Sequence, residues 1–340
     1  MSFSFQSVGR LTRVAALAMV AGLSSFSALA QEIRLFVDDM GHEVEVPVDP
    51  QRIVSLRGEQ ITSPLLELGA ALVGSSGRVD PGVNNGDPYV RGAYDALGFR
   101  FENSDIAWVG DPNEYDLEAI AIAEPDLILL SEGGVDSYEQ LSLIAPAVVI
   151  AGWEEDLLAR YRKIADVAGK LDVYEQLLAD WEVRFAGAQD VISQTIGDPA
   201  SVSVGVIEPR SGSVRGFRTY DALTQIIHAL GFSMPETIAE LEESRIDLSP
   251  ELVHQFDADF MISTYWPATG TTVQTIYELW DAAVPNWRQE LHAARNNQYF
   301  MVHREEMRAV SFAALRSVLN ILVSQIATRD FVPLTTDEQI

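Results

Sequence analysis

The sequence predicts an α/β protein of two lobes with mainly parallel sheets, joined by a single long α-helix. Three observations predict this. A capped helix running into a buried strand occurs once in each half, at 116–130 and again at 249–263, and the spacing from Glu118 to Asp126 equals that from Glu251 to Asp259. Strand and helix patterns alternate at the spacing of a parallel sheet covered by helices, and the alternation restarts near residue 202. Between the halves lie two long amphipathic stretches and no linker rich in Ser, Gly or Pro.

Arg10 and Arg13 precede a short apolar run and an Ala28-Leu29-Ala30 cleavage signal, so residues 1–30 read as an export leader. Residues 33–48 alternate in hydrophobicity around Met40-Gly41, which predicts a hairpin. The run 52–56 is a strand, 61–69 a helix closed by Gly69, and 71–74 the next strand. Asp116 can accept a backbone N–H at the start of the next helix, Glu118 sits in its first turn, and Pro125 stops it before the aliphatic run 127–130. A helix at 138–144 and a strand at 148–150 finish the first lobe, 31–152. Leu157, Leu158, Tyr161, Ile164, Ala165 and Ala168 recur at helical spacing, which places the linker helix at 153–170. Asp172 and Glu175 resemble a capping box opening a second long helix. In the second lobe, 171–340, a strand at 202–207 is followed by a Gly- and Arg-rich loop and a helix ending at Leu230-Gly231. The repeated unit comes next, with Pro250 at the first helical position, then a strand at 299–302 and a helix at 311–327.

The chain of 340 residues carries a formal charge of −27, and 21 basic against 50 acidic residues remain once Arg10 and Arg13 leave with the leader. Nucleic acid and anionic membrane surfaces are poor partners for such a molecule. The absence of cysteine excludes disulfides, thiol nucleophiles and thiolate metal sites. There is no Gly-x-Ser-x-Gly elbow and no histidine–glutamate zinc motif, which argues against a hydrolase.

In order and spacing, residues 39–47 with 50–56, then 65–69 and 73–74, 117–120 with 125–128, 141–146, 248–252 and 257–260 resemble substrate-binding proteins of ABC importers for ferric siderophores, haem and cobalamin. The resemblance spans nearly all of the chain after the leader. It implies the class III periplasmic binding protein fold, a ligand held between the lobes, a monomer without a cofactor, and delivery to ABC permease subunits without insertion into the membrane. It further implies that Glu118 and Glu251 dock on permease arginines.

Ligands in parallel α/β sheets gather beyond the C-terminal strand ends. Those positions hold Arg57 and Arg78, and, in the second half, Arg210, Arg215, Arg218 and Tyr220, then Trp266, then His303, Arg304 and Arg308. Trp108 and Trp153 can stack on a planar ligand. Arginine forks bind oxygen-rich anions and stay charged when partly desolvated, so the expected ligand is a ferric siderophore or another anionic iron chelate, with no metal ligand from the protein. A haem- or cobalamin-binding protein of the same importer class is the alternative, and a non-transport scaffold is a further one.

Overall fold

A computed structural model describes residues 1–2, 31–151 and 156–335. The expected leader falls on residues outside that range. Glu32–Ile340 form one compact unit, and no helix among the described residues is long and apolar enough to cross a membrane.

The chain enters through an antiparallel hairpin, β1 (Ile33–Val37) and β2 (Glu43–Pro47). Its inward side chains are Phe36 and Val46, while Leu35 and Val37 face solvent. Next come β3 (Ile53–Ser55), β4 (Leu72–Ser75), β5 (Ala107–Trp108), the short pair β6 (Gly110–Asp111) and β7 (Glu114–Tyr115), β8 (Leu127–Ser131) and β9 (Ala147–Ile150). Strands β5-β4-β3-β8-β9 form an all-parallel sheet. Every residue of β3, β8 and β9 is buried, as expected for strands covered on both faces.

The second sheet holds β10 (Val204–Arg210), β11 (Ser213–Phe217), β12 (Arg245–Leu248), β13 (Phe260–Tyr265) and β14 (Tyr299–His303) in the order β12-β11-β10-β13-β14. The β10–β13 and β13–β14 pairs are parallel; β11 is reversed and pairs antiparallel with both β10 and β12. The expected Gly- and Arg-rich loop is therefore a hairpin turning at Gly212, whose φ of +80° suits glycine. Val214 and Gly216 face inward there, but the glycine has no apolar side chain and Ser213 and Arg215 flank Val214, so the period of two is hidden.

The repeat is real in its strands and uneven in its helices. Asp116 accepts from the Ala119 N–H at 2.9 Å and opens the helix Leu117–Ile122, as expected. Pro250–Phe256, by contrast, is a 3₁₀ helix, and Ser249 makes no cap: its hydroxyl donates to Glu251 Oε2 at 2.6 Å. The two aspartates at the strand entries do the same work. Asp126 accepts from the backbone N–H groups of Gln51 and Arg52 (2.8 and 2.9 Å), and Asp259 from that of Ser203 (2.7 Å). Each carboxylate thus ties its own strand, β8 or β13, to the entry of the neighbouring central strand, β3 or β10.

The stretch 153–170 holds an 11-residue helix, Leu157–Val167, and the long helix of the chain follows it: Leu171–Ile196, with 26 residues. Gly169 turns between them at a φ of +66°. The expected capping box does not form. Lys170 is the N-cap without a side-chain hydrogen bond, and Asp172 lies in the first turn. The long helix buries Tyr174, Trp181, Ala188 and Ile192 and packs on the helix Phe312–Ala327. Tyr161, Tyr174 and Phe312 meet there with ring centroids 5.1–5.9 Å apart. One apolar cluster runs from the first sheet (Ile53, Leu127, Leu129) through these helices to the second (Val204, Val206, Ile262). Glu67 fastens the junction, accepting from the N–H groups of Phe312 and Ala313 (2.7 and 2.8 Å) and from the Tyr161 hydroxyl (2.9 Å).

Candidate functional site

The C-terminal strand ends of the two sheets meet, and the contacts between them locate the site. Arg91 forks onto Glu305 through Nε and an Nη at 2.9 and 3.0 Å. Val310 donates its N–H to the Glu59 carbonyl at 3.0 Å. Val83 and Tyr89 pack with Trp266 in a small apolar cluster of their own. At these ends stand Arg57 after β3, Arg78 after β4, Trp266 after β13, and Arg304 and Arg308 after β14.

The arginines surround buried carboxylates. Glu59 lies in the π-helical turn Gly58–Thr62, an irregularity common at functional positions. Its carboxylate is 3.9 Å from Arg57 and 2% exposed. Burial alone would raise its pKa, but Arg57, Arg91 and Arg78 outweigh that and hold it below the usual range. Arg304 Nε is 3.5 Å from Glu305, and Arg308 Nε 3.3 Å from Asp221. Asp221 sits at a φ of +43°, unusual for a side chain with Cβ. Burial pushes its carboxyl up, with Arg308 opposing. The guanidinium groups of Arg91 and Arg304 stand 6.0 and 5.7 Å from the Trp266 ring, and that of Arg308 is 5.5 Å from the Tyr220 ring. The Nε groups of Arg57, Arg78, Arg304 and Arg308 are buried and make no hydrogen bond, nor does Nε1 of Trp266. Those of Arg304 and Arg308 face carboxylates without bonding them, while those of Arg57 and Arg78 and the indole N–H of Trp266 are open to a ligand rich in oxygen acceptors.

The other candidates sit elsewhere or are engaged. Tyr220 is buried and bonds Thr264 Oγ1 at 3.1 Å; burial and Glu208 push its hydroxyl up to about 12. Arg210 pairs with Glu208 at 2.6 Å at the end of β10. Arg215 forks onto Asp247 across β11 and β12 at 2.8 and 2.7 Å. Arg218 is exposed and borders a cavity of about 920 Å³ beside His228, Gln225 and Glu242, away from the strand ends. Trp108 is 42% exposed and donates to the Gly77 carbonyl at 2.9 Å. His303 meets Tyr265 edge to face at 5.5 Å, with Glu306 4.0 Å from its Nδ1. Trp153 lies outside the described residues. Glu118 and Glu251 are both exposed. No group of three metal-ligating side chains occurs among the described residues.

Arg91, Glu59 and Glu305 are part of the site and were not candidates from the sequence. Arg91 lies in a loop between Tyr89 and the helix Ala93–Ala96, so a search of strand ends passes over it. Nothing local marks the two glutamates among 50 acidic residues.

The family model described as periplasmic binding protein matches residues 82–303. The ferric enterobactin-binding periplasmic protein FepB of Escherichia coli O6:H1 is 28% identical over 240 residues, which are 67% of this chain and 70% of that protein. The achromobactin-binding periplasmic protein of Dickeya dadantii is 26% identical, over 58% of this chain and 64% of its own length. Among solved structures, Staphylococcus aureus SirA complexed with staphyloferrin B superposes with a TM-score of 0.70 at 21% identity, over 86% of this chain and 98% of SirA. The FhuD protein from S. pseudintermedius gives 0.67 at 21% identity, over 87% and 99%. At such identities the structures speak for the fold, and they agree with the two sheets and the long helix described above. Since the family match covers well over half of the sequence and the fold is that of class III, this chain belongs to the periplasmic binding protein family.

Proposed function

We propose that the protein is the periplasmic binding component of an ABC importer that captures a ferric siderophore, or another anionic iron chelate, where the two sheets meet. The observation that carries this reading is the convergence of Arg57, Arg78 and Arg91 from one sheet with Arg304 and Arg308 from the other, with the buried Nε groups of Arg57 and Arg78 making no hydrogen bond. The names of the relatives, which bind ferric enterobactin and achromobactin, support the same ligand class. On this reading the protein acts as a monomer, binds without catalysing a reaction, and presents Glu118 and Glu251 to the permease.

Tryptophan-fluorescence titration against ferric citrate, hydroxamate, catecholate and carboxylate chelates, haem and cobalamin tests it. Saturable sub-micromolar quenching by an anionic ferric chelate, weakened at least tenfold by Arg78→Ala with Arg304→Ala, is the expected result. Binding of haem or cobalamin alone would replace the ligand assignment, and binding of nothing would count against a transport role.

A further inference from the structure

We infer that Glu59 sets the charge preference of the site, and that the ligand it accepts is an anion rather than a neutral chelate. The inference rests on the proposed capture of an iron chelate and adds a selectivity rule to it.

Five arginines (57, 78, 91, 304 and 308) face three carboxylates directly (Glu59, Asp221 and Glu305), while Asp80 is engaged by the Tyr89 hydroxyl at 2.5 Å and Asp95 stands near Glu305 and His303. The neighbouring Arg210 and Glu208 cancel at 2.6 Å, and Glu306 lies on the outer side beside His303. The carboxylates are not equivalent. Glu305 is 0% exposed and forked by Arg91, so it spends its charge holding the two strand-end regions together. Asp221 answers Arg308 alone at close range. Glu59 is 2% exposed and is felt by three arginines at once, yet it accepts no side-chain hydrogen bond from any of them; its nearest, Arg57, stands at 3.9 Å.

Glu59 therefore steadies Arg57 and Arg78 by charge without taking a hydrogen bond from them, and adds its charge to that of Glu305 in holding Arg91. The Nε groups of Arg57 and Arg78 remain without a hydrogen bond. A neutral chelate would leave these guanidinium groups desolvated and only partly neutralised, which is costly. An anion neutralises them, and it also meets the repulsion of Glu59 across a poorly screened distance. The same residue thus holds the arginines in place and caps how strongly they attract.

The test compares the wild-type protein with Glu59→Gln, a change that keeps shape and removes charge, against three ferric chelates of similar size: a tris-catecholate trianion, a citrate-type anion and a neutral trihydroxamate. The wild type should bind both anions at least tenfold more tightly than the neutral chelate. Glu59→Gln should tighten the trianion at least tenfold and move the neutral chelate less than twofold. Arg78→Gln provides the opposite arm, should Glu59→Gln fail to fold: it should weaken the trianion at least tenfold more than the neutral chelate. Equal effects on all three chelates, or none, would overturn the inference while leaving chelate capture standing. Failure of the wild type to bind any of the three would overturn both.

Discussion

The Arg91–Glu305 pair carries the sharpest consequence at the level of single residues. Glu305 is fully buried and Arg91 largely so, and without Arg91 the carboxylate keeps only Arg304 at 3.5 Å, which puts the loss at the lower end for a buried pair, about 3 kcal/mol. Arg91→Ala should therefore lower the urea midpoint by that equivalent with an unchanged m-value. Arg215 is a contrast. Its fork onto Asp247 is geometrically better formed than most, but the pair lies at the surface, with side chains 22% and 44% exposed. Such pairs contribute about 0–1 kcal/mol, and Arg215→Ala should leave chelate affinity nearly unchanged because its donors are already spent on Asp247. Sequence position alone does not separate these arginines. Arg215, in β11, was a candidate and Arg91, in a loop, was not, and only the depth of each carboxylate partner reverses that order.

Elements add a second set of expectations. The two copies of the repeated unit differ in their caps, and stability should follow the difference. Asp116→Ala removes a bond to the Ala119 N–H and should cost about 1 kcal/mol, whereas Ser249→Ala, which removes no cap, should change stability by no more than about 0.5 kcal/mol in the same urea series. The entry hairpin offers a pH test. Burial would raise the Asp38 pKa, but hydrogen bonds from the His42 ring and from the N–H groups of His42, Val149 and Met40 outweigh it and hold the carboxyl below its ordinary value of 3.8. A folded pKa below the unfolded one means that this stabilisation is present above about pH 4 and is lost as pH falls through the folded value. Asp38→Asn should therefore flatten the acid limb of the stability–pH curve below pH 4, read by thermal melts across that range. The helix boundaries missed from the sequence have a common cause. The sequence separates two helices at Gly169, where the chain does turn, but end residues carry little periodicity, so the first helix begins at Leu157 and the second is capped at Lys170 rather than Asp172.

For the whole molecule, the separation of capture from delivery is the property to test. Glu118 and Glu251 are exposed, one on each sheet's helical cover, and neither is among the strand-end arginines and their carboxylates. Reversing both charges to arginine should abolish uptake in cells while leaving the chelate dissociation constant within about twofold; a matching loss of affinity would tie these residues to the ligand instead. The loop-to-loop contact across the site can be probed in the same way. A Cβ at Gly82 would clash with the carbonyl oxygen of Ala268, so Gly82→Ala should push the two loops apart and speed chelate release, measured by stopped-flow.

Much of this architecture was legible in the residues. The buried runs of β3, β8 and β13, the cap at Asp116, the helix stop at Pro125 and the arginines after the strand ends are local signals, because hydrophobic period, capping chemistry and proline geometry act within a few residues. The antiparallel strands β11 and β12 were not legible, since their inward positions include Gly216 and their outward ones arginine and serine. The composition of the site was only partly so. Arg57, Arg78, Arg304 and Arg308 follow from strand ends, while Arg91, Glu59 and Glu305 come from a loop, a π-helical turn and a 3₁₀ turn far apart in sequence. By itself the sequence determined the parallel α/β layout, the repeated helix–strand unit and the supply of arginine. Tertiary structure alone decided which arginines are spent on carboxylates and which keep free donors, because a charge's partner and its exposure to water depend on chain segments more than two hundred residues apart.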